Sequence, residues 1–128
     1  MEEELRALLI ADPGVASFAA ARVNWGAHPQ GRPYPGLVLH LIGNREGLTL
    51  TGPDGLFEGR VQVDCLAMSF GGATLLSRAV IALLHGYRGG GFRLVEHDAA
   101  RSNRVGANNE ADRPFLVSLD FLTNWRIA

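Results

Sequence analysis

Residues 49–84, TLTGPDGLFEGRVQVDCLAMSFGGATLLSRAVIALL, decide the fold, because two different periodicities meet in them. From Leu56 to Met68 the chain alternates: Phe57, Val61, Val63, Cys65 and Ala67 share one face, and Glu58, Arg60, Gln62 and Asp64 share the other. That is a strand with one side to bury. From Ala73 onward the apolar residues Leu75, Leu76, Ala79, Val80, Leu83 and Leu84 recur at helical spacing and form one stripe. A helix over Ala73 to His85 is expected to be the main cover of the sheet. Gly52-Pro53-Asp54-Gly55 is expected to reverse the chain before the strand, and Gly71-Gly72 to break it before the helix. No nucleophile, acid/base pair or metal cluster is built into this stretch, so it reads as architecture.

Working outward, Leu5, Leu8 and Leu9 stand at helical spacing behind three glutamates that suit a helix N-terminus, and Asp12-Pro13-Gly14 is expected to stop that helix. Val15 to Ala21 suggests a second short helix, and Arg22 to Trp25 a brief strand. Gly26 to Gly36, rich in proline and glycine, must be irregular. Leu37 to Ile42 is apolar on both faces and is expected to lie centrally, covered on both sides. Gly43 to Gly55 would then form a hairpin with an extended tip. Gly86 ends the long helix, Phe92 to Glu96 makes a strand, Asn103 to Asp112 a polar loop, and Phe115 to Trp125 a last strand. In that strand Phe115, Val117, Leu119, Phe121, Thr123 and Trp125 share a face. The order of elements means an α+β fold: a mainly antiparallel β-sheet covered by a long amphipathic helix, with an N-terminal helix and a long β-hairpin arm.

A chain of 128 residues is expected to form one domain over its whole length, residues 1–128. Its 47% hydrophobic and 20% charged residues are those of a globular domain and exclude a disordered chain. The acidic opening Met1-Glu2-Glu3-Glu4 is unlike a secretory signal, and no apolar run is long enough to cross a bilayer, so a cytoplasmic protein without a membrane partner is expected. Cys65 is the sole cysteine, which excludes an internal disulfide. The formal net charge of −1 gives no general pull on nucleic acid. All 12 basic residues are arginine, a bias that suits interface ion pairs but is better explained by codon usage in a GC-rich genome.

Each candidate for chemistry has a plainer reading. His28, His40, His85 and His97 stand far apart, and His97-Asp98 on a strand would point to opposite faces, so no metal site is expected. His40 reads as a half-buried strand residue and His85 as a helix C-terminal residue. Gly86 to Gly91 follows a helix where a phosphate cradle precedes one, and Gly71-Gly72 lacks the rest of a nucleotide-binding motif. No cofactor is expected. The serines lack a nucleophile elbow, and Cys65 sits on the inward face. Glu58 and Asp64 flank Arg60 as a solvated or interface charge ladder would. Arg101, Arg104 and Arg113 bracket Asn108-Asn109, but Asp98, Glu110 and Asp112 offset them and no aromatic residues interleave. The loop reads as facing a protein partner.

The order and spacing of several segments together resemble one family, the tail-completion or tail-terminator proteins of long-tailed bacteriophages and phage-like gene transfer agents. The segments are Leu5-Arg6-Ala7-Leu8-Leu9, Asp12-Pro13-Gly14-Val15, Arg22-Val23, Pro29-Gln30-Gly31, Leu37-Val38-Leu39, Asp54-Gly55-Leu56, Arg60-Val61-Gln62-Val63-Asp64, the helix at Ala73 to Leu84, and Val117-Ser118-Leu119-Asp120-Phe121. The resemblance implies a structural protein and not an enzyme, a homo-oligomeric ring expected to be a hexamer. Such a ring would cap the head-proximal end of the tail tube, stop its polymerisation and join tail to head. Its partners would be the major tail tube protein and a head-side neck adaptor, with DNA passing through the lumen unread. The protein would be cytoplasmic during assembly and part of the particle afterwards. A head-closure neck adaptor is the structural alternative, and a small ligand-binding or enzyme domain the alternative from another class. Within this reading Arg45, Glu46 and Asp54 near the hairpin tip, Glu58, Arg60, Gln62 and Asp64 on the outward strand face, and Arg104, Asn108 and Asn109 in the late loop are the expected contacts with neighbouring subunits or the tube.

Overall fold

A computed structural model describes residues 1–29, 33–104 and 114–126, with backbone alone at 103 and 104. The order is α1 (Glu2–Ala11), α2 (Pro13–Ala19), β1 (Val23–Trp25), β2 (Gly36–Thr49), β3 (Gly52–Ala67), α3 (Phe70–Leu84), β4 (Phe92–Arg104) and β5 (Phe115–Arg126). The strands form one sheet in the order β1-β2-β3-β5-β4, antiparallel except for the β1–β2 pair. The fold is α+β, as the order of the sequence segments implies.

Alternation of side chains gives the sheet two unlike faces. On one, Leu37, Leu39, Val61, Val63, Cys65, Val117, Leu119 and Phe121 are buried together with Leu5 and Leu9 of α1, Val15 of α2, and Ala73, Leu76, Val80 and Leu84 of α3. Register explains why these rows coincide: Leu37, Cys65 and Val117 lie side by side, as do Leu39, Val63 and Leu119. Burying each large member stabilises the fold by about 1.5–3 kcal/mol. On the other face the same strands carry Asp64 beside Ser118 and Arg101, and Gln62 beside Asp120. No described helix packs there.

Several local expectations are corrected. The chain reverses at Leu50-Thr51, not at Gly52 to Gly55, which already pair back as the start of β3 with Pro53 opposite Leu48. Thr49 closes this turn: its hydroxyl donates to the Gly52 carbonyl at 2.9 Å, and Gly52 takes φ +124, open to glycine. Gly71-Gly72 do not break the chain but lie in the first turn of α3, since the Ser69 side chain accepts from the Gly72 N–H at 3.0 Å and caps the helix there. The buried stripe of α3 includes Leu76, Val80 and Leu84 but leaves Leu75 exposed. Asp12 ends α1 and also starts α2, accepting from the Val15 N–H at 3.0 Å. β2 is buried on both faces only at Leu37 to Leu39, where β1 also flanks it, and Leu41 and Ile42 further along stand exposed. β4 continues well past Glu96 to Arg104, held by pairing to β5, with a register shift between His97 and Ala99.

α1 is tied down by polar contacts that composition does not reveal. The Glu4 carboxylate accepts from the Gly91 N–H and from the Trp125 indole N–H, each at 2.7 Å. The Trp25 indole donates to the Glu2 carbonyl at 3.1 Å, and Arg6 Nε donates to the Val23 carbonyl at 2.8 Å. Gly91 faces the Trp125 ring so closely that no side chain could stand there.

Candidate assembly surface

The candidate surface is built on the β2–β3 hairpin. β5 pairs with β3 only from Leu56 onward, so the outer end of the hairpin, Leu48 to Gly55, is a two-stranded ribbon with no further described strand beside it. Its shape is fixed by its own side chains. Glu46 accepts from the Gly55 N–H at 3.1 Å and Asp54 from the Leu56 N–H at 2.9 Å. Arg45 lies directly opposite Glu58 across the ladder. With Asp54, Arg88 and Arg93 these two line an open cleft of about 670 Å³ between the arm and the start of β4.

The second part is a polar network on the uncovered face of the sheet. Asp64 accepts from the Ser118 hydroxyl at 2.7 Å and from the Gln62 amide at 2.8 Å, and its other oxygen lies 3.1 Å from His40 Nε2. Asp120 pairs with Arg101 at 2.5 Å and with Arg60 at 3.5 Å, and Arg60 also donates to Asp98 at 2.7 Å. The hydrogen bond from Arg101 holds the Asp120 carboxyl below the usual carboxylate range, against the upward push of its own burial, with the positive charges of Arg101, Arg60 and His97 adding to the lowering. The same bond raises Arg101. Burial, and next the charge of Asp64, pushes the Cys65 thiol up, so it stays protonated and inert as a nucleophile.

The expected contact residues therefore separate into two groups. Arg45, Glu46, Asp54 and Glu58 lie on the arm, while Arg60, Gln62 and Asp64 belong to the network on the open face. Arg60 does not pair with its strand neighbours Glu58 and Asp64, as a ladder along one strand would have it; its partners Asp98 and Asp120 come from β4 and β5. Arg104 lies opposite Phe115 at the end of β4, and Asn108 and Asn109 fall outside the described residues. Sequence reasoning missed Asp98, Arg101 and Asp120 as a joined set. The alternation of Asp120 with Val117, Leu119 and Phe121 was the available signal, but Asp98 and Arg101 stand three positions apart, and only the register and the irregularity between His97 and Ala99 show that the three meet. Among the described residues no group of His, Cys, Asp or Glu could hold a metal ion, and no described helix is long and apolar enough to cross a membrane.

The class so defined is a small α+β domain with helices on one face of a mixed sheet, a polar network on the other, and a projecting hairpin. The model of the family "Tail completion protein gp17" matches residues 3–124, and the chain belongs to that family. A search of curated proteins returned no match. Among solved structures, a chain from the virion of a native gene transfer agent particle is 22% identical, with a TM-score of 0.62 over 96% of this chain and 95% of the other. At that identity the likeness speaks for the fold alone.

Proposed function

We infer that this protein is a structural component of a phage or phage-like tail, acting over residues 1–128 as one domain that forms a ring on the head-proximal end of the tail tube. The carrying observation is the family match across residues 3–124. A virion chain with the same arrangement over nearly its full length supports the reading. The action is geometric: head-to-tail contacts between identical subunits close a ring when the rotation between them allows it, and a closed ring offers no surface for another layer of tube. A hexamer is the expected ring, facing the tube protein on one side and the neck adaptor on the other, with DNA passing through unread. The arm residues Arg45, Glu46, Asp54 and Glu58 are assigned to contacts between subunits. The open-face residues Arg60, Gln62 and Asp64 are assigned to the tube or a neighbour, and the segment with Arg104, Asn108 and Asn109 to a neighbour.

Deletion of the gene in a producing cell tests the reading. The expected phenotype is heads without tails beside tubes of uncontrolled length. Unjoined tubes of normal length would instead assign the protein to the neck, and joined particles would refute a role in tail completion altogether.

A further inference from the structure

The large hydrophobic side chains exposed among the described residues fall into two groups. Leu48 and Leu50 crown the hairpin tip, one 79% exposed and the other fully so, with Leu41 and Ile42 further down the same strand. Met68, Phe70 and Leu75 form the second group at the start of α3, where Phe70 packs edge-on against Phe115 with ring centroids 6.1 Å apart. The 16 residues of β3 separate the tip from Met68. At about 3.3 Å per residue that is roughly 50 Å of strand, so one chain cannot cover its own patch with its own tip. Two unlike apolar patches at opposite ends of one subunit are what a head-to-tail contact requires, and what a two-fold contact does not.

Charge supports the match. From Gly43 to Gly55 the charged residues are Arg45, Glu46 and Asp54, which leaves the tip with a net charge of −1. α3 has no acidic residue in its first turn, in contrast to the three glutamates of α1, so the positive end of its dipole is uncompensated. Its outward face carries Gly71, Leu75, Arg78 and Ala82, with Arg78 as the only charge in the helix. Arg78 has no hydrogen-bond or ion-pair partner among the described residues. The tip is also ordered in advance by the Thr49, Glu46 and Asp54 hydrogen bonds, which lowers the entropy lost on docking.

We propose that the hairpin tip at Leu48 and Leu50 docks on the Phe70–Leu75 face of α3 in the next copy of this chain. The proposal rests on the ring reading above and supplies its contact. Cross-linking tests it, because Cys65 is buried and leaves introduced thiols as the only reactive ones. Leu50→Cys and Leu75→Cys, both at exposed positions, are purified separately, mixed with and without tail tubes, and oxidised; Glu3→Cys serves as an exposed control. The expected result is a Leu50→Cys to Leu75→Cys heterodimer formed at least tenfold faster than either homodimer or than any product with Glu3→Cys. A chain carrying both substitutions should give a ladder ending in one closed species. Homodimers in excess, equal reaction with the control, or no cross-link even on tube ends would overturn the proposal. Rings seen on tube ends without this cross-link would leave the ring reading standing and refute the docking. The cross-link in solution with bare tube ends would do the reverse.

Discussion

Replacing Glu4 with alanine should destabilise the protein far more than its place in an acidic N-terminal run suggests. The carboxylate holds two donors at 2.7 Å, the Gly91 N–H 87 positions away in the chain and the Trp125 indole 121 positions away. Hydrogen bonds to a charged acceptor contribute about 1.5–3 kcal/mol each, and both donors lose their partner together. The site is only partly buried, so water recovers some of the loss, and the net cost is about 2–3 kcal/mol. For a chain of this length that corresponds to a fall in Tm of roughly 8–12 °C. Urea unfolding followed by tryptophan fluorescence measures it, with circular dichroism giving Tm. Glu3→Ala, at an exposed neighbouring position, should stay within about 0.5 kcal/mol of the parent. Glu4→Gln should fall between them, since its amide oxygen can still accept one bond. If Glu4→Ala unfolds with Glu3→Ala, α1 is held by its apolar stripe alone and the bridging argument is wrong.

Asp120→Asn should cost about 1–2 kcal/mol at neutral pH by weakening its charge-assisted bonds. Because the folded carboxyl lies below its ordinary value, its contribution is fully present above the unfolded pKa of about 4 and is lost as pH falls through the lower folded value. The gap between parent and variant in urea unfolding should thus be flat from pH 7 to about 5 and close below about pH 4. Ala20 carries φ 50, a conformation open to glycine, and Ala20→Gly should raise stability by about 1 kcal/mol; a loss on thermal melting would contradict that strain. The double substitution of Arg60 and Asp64 to alanine should leave the fold standing and impair joining of tails to heads. Unchanged joining would make the open face merely solvated.

The parts of the fold legible in the sequence were those in which one residue type repeats at one period. The alternation of Val61, Val63 and Cys65, and the run of Leu76, Val80 and Leu84, each named a buried face correctly because burial and periodicity coincide there. Strand β4 beyond Glu96 was not legible, since it lies at the sheet edge and pairs through backbone groups that any sequence has. The reversal at Leu50-Thr51 was hidden because Gly52 to Gly55 carries the stronger turn composition, while the Thr49 side chain decides the matter. The glycines at the start of α3 likewise outweighed the Ser69 cap in reading, though not in the helix. At the candidate surface, the facing of Arg60, Gln62 and Asp64 followed from alternation alone. Their partners did not, because Asp98, Asp120 and Ser118 reach them only through the register of three strands. Glu4 does lie in the first turn of α1, as its place in the acidic run implies, but its second role as a bridge to Gly91 and Trp125 was hidden for the same reason.

Electron microscopy of gold-labelled protein mixed with purified tail tubes shows whether the protein caps a tube end. A single ring of label is expected on one end of each tube, and tubes so capped should no longer lengthen when tube protein is added. Label scattered along the tubes, or capped tubes that continue to grow, would contradict a capping role.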